Sequence, residues 1–130
     1  KYIPKNVYGH DVWCYRVCAA LGGNIVVDSE GRILYRQHGD NVVGLQNGWK
    51  GKVIRAKEYI FKYNASSYAE ELLAGYADEL SDEWVEFLKL IVSSNKSLKL
   101  KHQLLKCNAV IFNNKYLRLL FIIKVLIGKI

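Results

Sequence analysis

Proline is confined to Pro4, so no residue from 5 to 130 carries the ring that removes a backbone donor and breaks a helix. Where apolar residues recur at helical spacing the chain is therefore free to form helices, and the whole second half is expected to be helical. Residues 53–63 are one candidate. Residues 68–80 are another, with Leu72, Leu73 and Tyr76 as an apolar stripe. Ser81 reads as the N-cap of the next helix, with Asp82 and Glu83 at its positive end, and that helix runs to about residue 92. Residues 93–101 are polar and basic. The remainder is dominated by apolar residues.

The first third is patterned differently. Trp13, Val17 and Leu21 lie at helical spacing over residues 11–21, and Gly22-Gly23 supplies a stop. Residues 24–27 then read as a strand, residues 28–31 as a tight turn and residues 32–37 as a second strand with Ile33 and Tyr35 on one face. Residues 38–51 are rich in Gly and Asn and read as loop. The expected class is α+β, a short helix and β-hairpin followed by a mostly α-helical region, divided into residues 1–51 and 52–130.

Charge is unevenly placed. Residues 1–86 hold ten Lys/Arg and twelve Asp/Glu, whereas residues 87–130 hold nine Lys/Arg and no acid. An anionic partner for that end follows. Residues 116–127 are strongly apolar but too few to cross a bilayer, which takes about twenty. Lys115, Arg118 and Lys129 fall near one helical face, with Lys124 opposite and obliged to snorkel. A helix lying in the plane of an anionic membrane accounts for both the charge and the apolarity. The competing readings are a helix buried against the rest of the protein and a nucleic-acid surface. Mostly aliphatic apolar residues and the lack of a nucleic-acid motif argue against the last.

The three cysteines do not form a disulfide pattern, and Cys14 and Cys18, one helical turn apart, read as reduced, buried thiols. With His10 they fall short of a zinc site, which needs four ligands. Asn64-Ala-Ser66 and Asn95-Lys-Ser97 match the glycosylation pattern without a secretion signal beside them, and a cytoplasmic setting is the simpler expectation. With Lys1 first and no methionine anywhere, the chain reads as a piece of a longer protein.

Tyr8-Gly-His-Asp-Val-Trp13, followed by Leu34-Tyr-Arg-Gln-His-Gly-Asp-Asn-Val-Val-Gly44, resembles the family-two bacterial glycosyltransferases, in particular those that extend surface polysaccharides with rhamnose or related sugars. The resemblance implies an A-type nucleotide-sugar-binding fold, of which this would be the acceptor-side and C-terminal part. It also implies inverting transfer of a hexose from a nucleotide-sugar to a lipid-linked or polysaccharide acceptor, at the inner face of the cell membrane. Asp11 matches the family's base position, at a helix start whose dipole favours the ionised carboxylate. His38 matches a position facing the donor diphosphate or its divalent metal, Mg or Mn, with Arg36 and Gln37 adjacent.

His10 stands where many members have an acid, and with Trp13 and Trp49 it is a candidate sugar or acceptor contact. Taken alone, Asp11 reads as a helix-capping carboxylate and His38 as a surface histidine. The family's D-x-D metal motif is absent, so this stretch alone is expected to be inactive. The hairpin's unpaired edge would invite oligomers. If the resemblance is accidental, the chain is a non-catalytic helical adaptor that binds a membrane or a protein.

Overall fold

A computed structural model of the chain describes residues 2–7, 9–28, 30–31 and 48–130. These residues form six α-helices in the order α1 (His10–Ala20), α2 (Gly48–Phe61), α3 (Ala65–Tyr76), α4 (Asp82–Ser93), α5 (Leu98–Lys106) and α6 (Lys115–Leu126), with a 3-10 turn at Ser94–Lys96. Among the described residues there is no strand, and the α+β expectation is corrected to an all-helical architecture.

The reason is local. Residues 25–27 are β-branched and run without regular structure, but Val26 and Val27 are 84% and 82% exposed. Strand propensity is mostly a preference for a pleated, half-buried surface, and no described element offers one here. The expected partner strand, residues 32–37, lies outside the described residues. The turn between them is partly visible, with the Glu30 N–H donating to Asp28 Oδ1 at 2.9 Å.

The helices begin where side chains can accept orphan backbone N–H groups. Asn64 accepts from Ser67 N (3.2 Å), Ser81 from Trp84 N (3.3 Å), Ser97 from Leu100 N (3.2 Å) and Asn114 from Tyr116 N (2.8 Å). Asn64, the first residue of a glycosylation-like triplet, thus has a structural job as a cap. α1 ends on a glycine turn: Gly22 has φ of 71°, and its N–H and that of Gly23 donate to Ala19 O and Cys18 O.

Two hydrophobic clusters hold the helices together. The first joins Trp13 and Ala20 of α1, Tyr68, Ala69 and Leu72 of α3, Leu80, and Leu88 of α4. Trp13, Tyr2 and Tyr76 form a ring triad with centroids 6.2–6.4 Å apart. Such pairs add about 0.5–1.5 kcal/mol each beyond area burial. A Cβ at Gly75 would lie 2.4 Å from the Tyr2 ring, so only glycine leaves room for this closure.

Glu71, buried on α3, fixes the N-terminal segment by accepting from Tyr2 Oη (2.6 Å) and Asn6 N (2.9 Å). The Tyr2 hydrogen bond, against the opposing effect of burial, holds the Glu71 carboxyl below its ordinary range.

The second cluster centres on Leu104 of α5, Val125 of α6 and Ile130, with Phe87, Leu90 and Ile91 of α4 packed against it. α4 thus faces both clusters. The boundary expected after residue 51 falls inside α2, whose buried Gly51 lies in its first turn. α1 shares its core with α3 and α4.

Candidate functional site

Gly9 has φ of 78°, a conformation that favours glycine, and turns the chain into α1. A Cβ there would come 2.8 Å from Asp11 Oδ1, so the missing side chain also makes room for the carboxylate. His10 and Asp11 occupy the first turn of α1, both exposed. The N-cap position is glycine and supplies no side-chain cap, and Asp11 makes no hydrogen bond or ion pair among the described residues. The capping role that an aspartate at this place would ordinarily fill is not taken up. Its carboxylate faces solvent at the positive end of the α1 dipole, where a negative charge is favoured.

Trp13 is buried in the ring triad, which corrects its assignment as an acceptor contact. Trp49 is 79% exposed, but it is the second residue of α2 and not part of a loop. Arg36, Gln37 and His38 lie outside the described residues. No group of three or more His, Cys, Asp or Glu side chains among the described residues could hold a metal ion. Cys14 is exposed, contrary to the expectation of a buried thiol, and Cys18 and Cys107 are half-buried.

The basic end resolves into two faces of α6. Tyr116, Leu119, Ile123, Leu126 and Ile127 are exposed together, Leu119 and Leu126 by 54% and 56%, and the exposed cations Lys115 and Arg118 border them. Lys129, just past the helix, is also exposed.

Lys124 points the other way, and its assignment as a membrane-facing residue is corrected. It is buried, and its Nζ donates to Tyr59 O at 2.8 Å and to Tyr63 O, carbonyls at the end of α2, while lying 4.9 Å from the Tyr59 ring centroid. A cation is favoured at a helix C-terminus, where backbone carbonyls lack helical partners. No described helix is long and apolar enough to cross a membrane. No family model, curated protein or solved structure matches this chain.

Burial holds the Lys124 ammonium down to about 8 from the ordinary 10.5, with Arg16 acting in the same direction. Between those two values the unfolded chain keeps a proton that the folded chain has lost, so stability rises with pH across that window. Relative to Lys124→Met, the native protein is expected to gain on the order of 2–3 kcal/mol between pH 7.5 and 10.5, read from denaturant midpoints. A difference between the two proteins that does not change with pH would contradict the burial.

Arg16 is the residue that sequence reasoning missed. Its guanidinium carbon lies 3.8 Å from the Tyr68 ring centroid. Its spacing was the available signal, because Trp13, Arg16 and Ala20 fall along one side of α1 and the two flanking residues are buried.

Proposed function

We propose that this chain is the acceptor-side and membrane-facing part of an inverting glycosyltransferase that uses a nucleotide-sugar donor. The observation that carries the reading is an exposed Asp11 carboxylate left out of helix capping, within the Tyr8–Trp13 motif. In the reaction an acceptor hydroxyl attacks the anomeric carbon and Asp11 takes its proton. The bond from that carbon to the diphosphate oxygen breaks, and the electron pair leaves with the nucleoside diphosphate. General-base catalysis of this kind contributes about 10²–10⁴-fold.

The exposed aliphatic face of α6, bordered by Lys115 and Arg118, supports docking on an anionic membrane, where a lipid-linked acceptor would reside. The nucleotide site and any metal belong to residues outside those described.

A second reading, a non-catalytic membrane adaptor, is favoured by the two helical clusters that the described residues form without a sheet. It uses the same α6 face and leaves Asp11 idle. Release of nucleoside diphosphate from a nucleotide-sugar by the full-length protein, dependent on added acceptor, is the expected result. Vesicle binding with no release from any donor would select the adaptor.

A further inference from the structure

Between α1, α3 and α4 lies a half-open cleft of about 240 Å³. Leu72, Leu88 and Ile91 supply its apolar depth, and Trp84 stands at a more exposed part of the wall. Two alanines of α3, Ala65 and Ala69, leave the space open where larger side chains would close it.

The one cation on this lining is Arg16. It is half-buried, stacks on Tyr68, and has no hydrogen bond or ion pair with any described residue. Among the described residues, the charged and titratable groups close enough to act on it are Tyr68, Tyr59 and Lys124, none of them an acid. Lys124 is already committed to the carbonyls of Tyr59 and Tyr63. A guanidinium on an apolar wall, with no carboxylate among the described residues to offset it, lowers the cost of bringing an anion there, and its planar fork suits carboxylate or phosphate oxygens.

We propose that this cleft binds a small amphiphilic anion, a hydrocarbon body of about eight to ten carbons ending in a carboxylate or phosphate, with the anionic group on Arg16 and the body among Leu72, Leu88 and Ile91. Size suits the occupant: a dry cavity of about 150 Å³ holds benzene, so a cleft of this volume has room for a medium-length chain or a bicyclic aromatic. Fixed polar groups that orient an otherwise apolar ligand are the usual composition of such sites. The site is separate from the Asp11 chemistry and stands whether or not transfer occurs.

The test titrates the full chain with octyl phosphate, octanol and octyltrimethylammonium below their micellar concentrations, read by calorimetry and by tryptophan fluorescence. Octyl phosphate is expected to bind with one-to-one stoichiometry, at least tenfold tighter than octanol, and the ammonium compound weakest. Arg16→Gln should erase the preference for the anion while leaving octanol binding unchanged. Ala19→Leu, which adds bulk to the lining from α1, should weaken both ligands in a protein whose circular dichroism is native. Equal binding of octyl phosphate and octanol, an anion preference that survives Arg16→Gln, or binding to anionic vesicles with none to monomeric octyl phosphate would each overturn the proposal.

Discussion

Replacing Asp11 by Asn in the full-length protein is expected to lower turnover by about 10²–10⁴-fold, the usual worth of a positioned general base. The substitution keeps the shape of the side chain and removes only its ability to accept the acceptor's proton. It also separates the two roles open to Asp11. Asn and Asp are nearly equal as helix N-caps, so a purely structural aspartate would tolerate the change. Asp11 is exposed and makes no bond among the described residues, so unfolding free energy should stay within about 0.5 kcal/mol of wild type. A protein with native stability and native turnover would remove Asp11 from the chemistry. A steady-state comparison of kcat, with KM for the acceptor little changed, reads the result.

Leu119→Glu combined with Leu126→Glu is expected to abolish binding to anionic vesicles. Each leucine has about half its surface exposed on α6, and fully burying a leucine is worth about 1.5–3 kcal/mol, so the pair contributes roughly 2 kcal/mol to docking. Each new carboxylate also opposes the attraction of about 1 kcal/mol per cation that Lys115 and Arg118 supply near the surface. Together these exceed a hundredfold loss in partitioning, measured by co-sedimentation. Lys115→Gln with Arg118→Gln should cost less and should abolish most of the salt dependence. If the double glutamate variant sediments with vesicles as well as the native protein does, the α6 face is not the docking surface.

The parts of the fold set by nearby residues were readable from sequence. Ser81 before an acidic first turn marks the start of α4, and Gly22-Gly23 marks the end of α1, because caps and stops act over a single turn. Where distant residues decide, local patterning does not carry the outcome. Gly48 and Gly51 have poor helix propensity and suggested a loop, yet they lie in α2, where Gly51 is buried. The opposite-face position of Lys124 followed from periodicity, but its burial depends on carbonyls 61 and 65 residues away in the chain.

The site was legible in part for the same reason. Asp11 at a helix start is a local feature, whereas its relation to Arg36, Gln37 and His38 is a matter of tertiary geometry that periodicity does not encode. The valines at 26 and 27 show the reverse error, in which β-branched residues suggest a strand although no described neighbour covers them.

The anomeric configuration of the transferred sugar tests the central claim most directly. Proton NMR of the product formed by the full-length protein from a nucleotide-sugar and acceptor should show the configuration opposite to that of the donor, as one displacement assisted by Asp11 requires. Retained configuration, or no sugar transferred from any donor, would contradict it.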